Sequence, residues 1–514
     1  MPDSMSILKK LAGQTAIYGL TGMIGRFLFF LLTPIYTNKE VFDQAQFGQI
    51  TELYAYMVFV MLIITFSMET SFFRFSTIDG NSKKSVFATA IVTVATLSGL
   101  FLASTWIFTD QIATWTKYQA NPEYIKWLGA ILAMDAVSAI AMTKLRSQER
   151  AGRFAFINLT SVIANIGLIL FFLVYCGMNY ENNSNALIDA VYNPEIGIAY
   201  VFIANMIASG IKILLLIPEF SFGGFKFNMT LFRQMMPYAI PLVIFGFAGS
   251  INEVIDRIML KEIVYDSGLA KGLSHDSALE AAQVQNGIYG AVYKISMIII
   301  IFLQAYRFAA EPFFFNREKE KNSKLMYSRI MTFFVIAVAV MFLVVVLYLH
   351  VFKYFIGESY WQGLSVVPIL LLANFSLGIY WNLNMWFKLT KKTKFGAYMA
   401  GIGAVITIVG NYVFIPVYGY EACAWVTFAT YVSLTVLSYF LGQRHYPIPY
   451  NLRKVFLYIG LAVLIYFISS PFDPEESFTG LMWLYHTGLL VGYIAIVLFI
   501  ERPKKLIPSK DVID

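Results

Sequence analysis

Charged side chains are scarce in this chain, 13% of its 514 residues, against roughly 25% in a soluble domain. Cysteine and histidine are scarcer still, with two and four copies. Each shortage excludes something. Cys176 and Cys423 stand in or beside apolar runs, form no CxxC or Cys/His set, and read as small hydrophobes rather than as a disulfide framework or a metal site. His275, His350, His445 and His486 are scattered, with no HExxH spacing. No GxxxxGK[ST] phosphate loop is present, which argues against ATP hydrolysis. The glycines of GIG at 401–403, with Gly410, fall inside an apolar run and read as close helix packing rather than as a nucleotide fingerprint. Long polar stretches are missing too. The longest connections between apolar runs, near 179–195 and 261–284, are too short to fold as a domain. A membrane enzyme needs an acidic pair or a partnered histidine in such a place, and the nearest candidate is the short DPEE turn at 473–476. No catalytic residue, cofactor or metal is expected.

What the chain has in abundance is apolar sequence, 58% of all residues. A bilayer span needs roughly 20 mostly apolar residues. Fourteen runs qualify, near 12–37, 46–74, 85–108, 122–144, 154–178, 196–217, 233–260, 285–312, 326–351, 361–387, 396–416, 419–441, 454–471 and 478–500. The run at 361–387 is the one interrupted by asparagines, Asn374, Asn382 and Asn384. An all-α polytopic membrane protein of about 14 helices follows. The first run, Leu11 to Ile35, is too long for a signal peptide and is expected to remain as a helix. Lysine and arginine alternate with the loops: 27 of the 38 lie on the side of the N-terminus, 6 on the other, and 5 within spans. The positive-inside rule then makes both termini cytoplasmic and the protein multi-pass. The same bias explains the net charge of +7, so nothing points to nucleic acid.

Ionised groups inside spans are costly, about 2.5–3.5 kcal/mol each on insertion scales, and should face protein or a wet cavity. The basic ones are Arg26, Lys212, Arg257, Lys294 and Arg307, and the acidic ones Glu52, Glu69, Asp135, Glu253, Asp256 and Glu311. Glu253 with Arg257, and Arg307 with Glu311, are four apart and share a helix face. Lys212 is placed to snorkel to headgroups. Arg26 and Lys294 have no acidic neighbour three or four residues away. Each is read either as a contact for an anionic substrate such as a diphosphate, or as half of an interhelical pair, Arg26 with Glu52 or Lys294 with Asp256. Asp135 and Glu69 are candidates for ion coupling, or for salt bridges. The in-span acids slightly outnumber the bases, so a basic rim at Arg74, Arg146 and Arg317 is an alternative first contact for an anion.

Six spans precede PEFSFGGFKFNMTLF at 218–232 and six follow, with two more closing the chain. The expected organisation is a six-helix bundle at 1–217, a cytoplasmic linker at 218–232, a second six-helix bundle at 233–441, and two further helices with a tail at 442–514. Three blocks carry a family resemblance. They are GQTAIYGLTGMIGRFLFFLLTPIYT from Gly13, with FGQITELYAY and METSFFRF; MMPYAIPLVIFGFAGSINEVIDRIMLKE at 235–262; and GIYGAVYKISMIIIIFLQAYRFAAEPFFF at 287–315. In these the chain resembles Wzx-type polysaccharide flippases of the superfamily of multidrug, oligosaccharidyl-lipid and polysaccharide (MOP) exporters.

The resemblance implies two six-helix bundles around a central cavity, working by alternating access. It implies a lipid-linked oligosaccharide substrate on undecaprenyl diphosphate, moved from the cytoplasmic to the outer leaflet of the bacterial inner membrane for O-antigen or capsule synthesis. Membrane lipids and the polysaccharide polymerase and assembly proteins are the implied partners. Arg26, Asp256 and Arg257 match the family blocks by position, and with Lys294, Glu52 and Arg307 they form the candidate cavity set. Two alternatives stand beside this reading, a multidrug or cation antiporter of the same superfamily and a polytopic glycosyltransferase or acyltransferase. The antiporter would need Asp135 and Glu69 and could dispense with Arg26.

Overall fold

Among the described residues, fourteen helices are long and apolar enough to cross a membrane. They are α1 (Ile17–Tyr36), α2 (Gln44–Ser76), α3 (Lys83–Ile107), α4 (Glu123–Ser147), α5 (Ala151–Asn179), α6 (Ala199–Phe220) and α7 (Met229–Ala270). The second half holds α8 (His275–Phe315), α9 (Ser323–Leu347), α10 (Glu358–Leu389), α11 (Lys394–Tyr418), α12 (Tyr420–His445), α13 (Leu452–Ser469) and α14 (Gly480–Ile500). The structure, a computed structural model, describes residues 4–78, 82–180, 185–220, 226–318, 320, 322–390, 392–469 and 480–502. Every apolar run of the sequence holds one of these helices. We call the end bearing the lysine- and arginine-rich connections the basic face and the other the opposite face.

The largest departure from expectation lies between α7 and α8. The connection expected at 261–284 is helical except for a turn at Lys271–Ser274. The two helices run for 42 and 41 residues, about 60 Å each at 1.5 Å per residue, twice the hydrocarbon thickness. Ser274 caps α8 by accepting from the Ser277 amide at 3.2 Å, and the polar stretch that follows is rich in Ala, Glu and Gln, good helix formers. Hydropathy marks what lipid will accept, not where a helix stops, so the reading ended both helices too early.

Local chemistry sets the other boundaries. Asp43 opens α2 with a capping box, accepting from the Gln46 amide at 2.7 Å while the Gln46 side chain accepts from the Asp43 amide at 3.0 Å. Midway along, α2 breaks at Phe66 and Ser67, both left-handed at φ 46° and 51°, a costly conformation for residues with a Cβ. The break redirects Met68–Ser76, the segment that carries Glu69. Buried asparagines explain the interrupted run in α10. Asn374 donates to the Ser296 carbonyl at 3.1 Å, Ser438 donates to Asn384 at 2.8 Å, and Tyr306 donates to Asn382. That helix is polar because it is enclosed by α8 and α12 rather than by lipid.

Among the described residues, three large apolar cores, with smaller clusters beside them, hold the assembly. One gathers α1, α2, α4, α5 and α6, and another joins α2, α3 and α4 to Leu231, Met235 and Ala239 of α7. The largest gathers α8, α9, α10 and α12 with α13 and α14, and takes in Phe47 of α2. The first turns of α7 therefore pack into the first half of the chain, while Leu260, further along it, joins the core of the second. Before α7, Glu219 is buried and accepts from Arg150 at 2.6 Å and Arg153 at 2.9 Å, which ties the end of α6 to α5. Asn228 then caps α7 at the Leu231 amide. Gly223 and Gly224 of the expected linker lie outside the described residues.

Candidate functional site

The two halves touch most closely at the opposite face, where α2 lies against α8. Gly48 faces the Gln283 carbonyl and Gly287 faces the Gln44 carbonyl, so closely that a Cβ on either would collide with backbone. This is the small-residue contact that lets membrane helices approach along their main chains. Polar groups stitch the seam. Gln49 donates to the Gln283 side chain at 3.0 Å, Gln44 to the Ser359 carbonyl at 2.5 Å, and Tyr360 to the Asp43 carbonyl at 3.2 Å.

Just inside this seam lies a fully buried ion pair. Lys261 of α7 and Glu52 of α2 are both 0% exposed and 2.8 Å apart. Lys261 also donates to the Thr116 carbonyl at 2.6 Å, and the Tyr118 hydroxyl donates to the second Glu52 oxygen at 2.8 Å. Burial, with the Glu52 carboxylate beside it, pushes the Tyr118 hydroxyl well above its ordinary range, so it stays a donor. Lys117 and Glu262 form a second pair at the rim. Buried charges persist only when paired and hydrogen-bonded, and here both conditions require α2, the α3–α4 connection and α7 to be in contact.

Towards the basic face α1 and α8 part around a cavity of about 320 Å³, with Tyr18, Gly22 and Arg26 on one wall and Gln304, Arg307 and Glu311 on the other. Gly19 closes one end, where the Phe308 ring would stand 2.7 Å from a Cβ, whereas Gly22 faces open space. Arg26 is exposed to the cavity and makes no ion pair among the described residues. Arg307 donates to Glu311 at 3.2 Å and stacks over the Trp381 ring at 4.9 Å, and Glu311 accepts from Lys388 of α10 as well.

The structure thus brings Arg26 and Arg307 to one cavity and sends the remaining candidates elsewhere. Glu52 belongs to the opposite seam and binds Lys261, not Arg26. Asp256 binds Arg257 at 2.8 Å, not Lys294, and accepts from Tyr289 at 2.6 Å. Of Glu253, Arg257 reaches the main-chain carbonyl, at 2.7 Å, and not the carboxylate, and it also stacks on Tyr293 at 4.4 Å. The i,i+4 spacing suggested a Glu253 carboxylate partner, but the adjacent Asp256 offers a shorter path inside the bundle. Glu253 itself is exposed and makes no ion pair among the described residues. Lys294 is half-buried within Coulombic reach of Arg257 and has no carboxylate partner among the described residues.

Both ion-coupling candidates are held by cations. Glu69 accepts from Arg146 at 2.9 Å, and Asp135 accepts from Ser209 at 2.9 Å with Lys212 at 4.0 Å. Lys212 therefore faces Asp135 instead of snorkelling to headgroups. Lys261, Lys388, Gly48 and Gly287 were not anticipated. The signal for Lys261 was present: Glu253, Arg257 and Lys261 repeat every four residues, a helical period that continues past the end of the apolar run. Among the described residues no group of three or more His, Cys, Asp or Glu side chains is gathered as a metal site. The DPEE turn lies outside the described residues.

No protein-family model matches the sequence, and no curated protein does. Solved structures match its fold. The lipid II flippase MurJ, in an inward closed conformation, aligns with a TM-score of 0.65 at 12% identity, over 94% of this chain and 98% of that one. An inward-facing multidrug resistance MATE family transporter of the MOP superfamily aligns with a TM-score of 0.61 at 13% identity, over 81% and 93%. A MOP superfamily transporter from Pyrococcus furiosus, described by the reverse polarity of its binding pocket, aligns at 0.54 and 12% identity, over 87% and 96%. With fourteen helices in this arrangement, the chain is a multi-pass membrane protein with the fold of the MOP superfamily transporters.

Proposed function

We propose that this protein moves a lipid-linked oligosaccharide, carried on undecaprenyl diphosphate, from the cytoplasmic to the outer leaflet of a bacterial inner membrane by alternating access. The observation that carries the reading is Arg26, a cation without an ion-pair partner among the described residues, in a cavity towards the basic face, while the opposite face is sealed. The lysine and arginine bias makes the basic face cytoplasmic, so the cavity meets substrate where such lipids are assembled. Sugar hydroxyls and phosphates cannot enter hydrocarbon unpartnered. A wet cavity shields the head while the tail stays in lipid. In this cycle residues 1–217 and 233–441 act as the two rocking halves, 442–514 travels with the second, and the product passes to polymerase and assembly proteins outside.

A multidrug antiporter is the second reading, favoured by the MATE transporter that shares the fold and by Glu253, which is exposed and unpaired among the described residues. Against it, Asp135 and Glu69 are occupied by lysine and arginine, whereas the cation Arg26 is not. Depletion of the protein in its native host, followed by lipid analysis, separates the two. Accumulated undecaprenyl-diphosphate oligosaccharide on the cytoplasmic leaflet is the expected result. An unchanged lipid-linked pool with altered drug tolerance would move the assignment to the antiporter.

A further inference from the structure

The cavity between α1 and α8 already contains an anion of its own. The Glu311 carboxylate is one-third exposed and bound twice, by Arg307 on its own helix at 3.2 Å and by Lys388 from α10. An i,i+4 pair on a helix surface needs no third member, and Lys388 has crossed from another helix to supply one. Arg307 remains half exposed with its guanidinium beside the cavity. On the facing wall Arg26 has no carboxylate partner among the described residues. Three cations and one acid therefore meet at one mouth, arranged as an occupied half and an empty half.

We infer that Glu311 is a resident counter-anion, displaced when the phosphate of a ligand reaches Arg307, and that it sets the site's preference for ligands with two phosphoryl groups over ligands with one. The inference rests on the reading that an anionic headgroup enters this cavity. A ligand with one phosphoryl group that displaces Glu311 only exchanges one anion for another at Arg307 and gains nothing there. A diphosphate makes the same exchange with one phosphoryl group and reaches Arg26 with the other, and guanidinium forks bind phosphoryl oxygens in pairs. The displaced carboxylate stays tethered nearby and repels competitors with a single phosphoryl group as well. Glu311 thereby holds Arg307 in place between turnovers, weakens binding of every anion, and weakens it most where Arg26 cannot compensate.

The test uses the full chain in nanodiscs of neutral lipid, with inorganic pyrophosphate and orthophosphate as probes, at low ionic strength and by calorimetry. Glu311→Gln should bind pyrophosphate about tenfold tighter, and orthophosphate should gain at least as much, so that the preference between them narrows. Raising the salt should shrink the gain, and Arg307→Gln should lose binding of both probes. Glu311→Ala carries the same expectation and serves where the glutamine variant does not accumulate. Unchanged or weaker pyrophosphate binding in both Glu311 variants overturns the inference. So does lowered thermal stability with unchanged affinity, which is the signature of a merely structural carboxylate. Farnesyl diphosphate in the bilayer separates a lipid headgroup from free diphosphate. A Glu311 effect without leaflet transfer of that lipid removes the flippase reading and leaves this inference standing; transfer without a Glu311 effect does the reverse.

Discussion

The two ends of the seam between the halves are built from different materials. At the opposite face, backbone meets backbone through Gly48 and Gly287, with a dry ion pair directly inside. At the basic face, long side chains meet around an open cavity, and the ion pairs are one-third to one-half exposed. The first kind of contact depends on atoms that are absent and has no adjustable part. The second is held by flexible, screened groups that can exchange partners. In an alternating cycle the rigid seam is the one that has to open and reclose as a unit, and the soft mouth is the one that adapts to cargo.

The sharpest way to break this contrast is to put atoms where the rigid seam has none. Gly287→Leu or Gly48→Leu should prevent closure at the opposite face, because the new side chain meets main-chain carbonyl rather than a movable side chain. Overpacking a core costs about 1–3 kcal/mol when side chains can give way, and here they cannot. Cysteines in place of Gln49 and Gln283, whose side chains are 3.0 Å apart, report closure by cross-linking. The cross-link and glycan export should both be lost, and a cross-link at parental yield in the leucine variants would remove the seam from the mechanism.

One step down in size is the buried pair. Lys261→Met leaves Glu52 charged and dry beside Tyr118, and breaking a buried pair on one side costs about 3–5 kcal/mol. Replacing both partners, Glu52→Leu with Lys261→Met, should return most of that loss, since a matched apolar pair is often neutral or better. Thermal melting of the purified protein reads both, and cross-linking at Gln49 and Gln283 shows whether the closed seam is what has been lost. Equal destabilisation in the single and double variants would mean that the pair stabilises through something other than its own charges.

The same contrast decides what sequence could reveal. Helix number was legible because lipid imposes one requirement, an apolar run of fixed length, on every span. The charge bias in the loops was legible for a similar reason. Partners were not. Arg257 had Glu253 at helical spacing and Asp256 beside it, and only the packing of α7 against Tyr289 decides between them. Glu52 was found as a charge in a span, but its partner was hidden because Lys261 fell past the end of an apolar run and was counted with a loop. Gly48 and Gly287 were ordinary glycines until α2 and α8 were side by side. Arg26 and Lys294 were legible as span cations without an acidic neighbour, since a lack can be seen along a helix, but the surroundings of neither could be read there.

The smallest effect on stability, and the most informative about function, belongs to the mouth. Arg26 makes no ion pair among the described residues, and Arg307 is half exposed in its pair with Glu311. Exposed pairs are worth about 0–1 kcal/mol, so Arg26→Gln and Arg307→Gln should each melt within about 0.5 kcal/mol of the parent protein and reach the membrane in normal amounts. Surface-glycan export should nevertheless fail in both. Stability and transport thus separate at the mouth, whereas at the opposite seam they fall together. If both glutamine variants export normally, the headgroup does not bind between α1 and α8. The half-buried Lys294, beside Arg257 and likewise without a carboxylate partner among the described residues, then becomes the next place to look, deeper along α8, where any loss of charge should again leave the seam closed and cross-linkable.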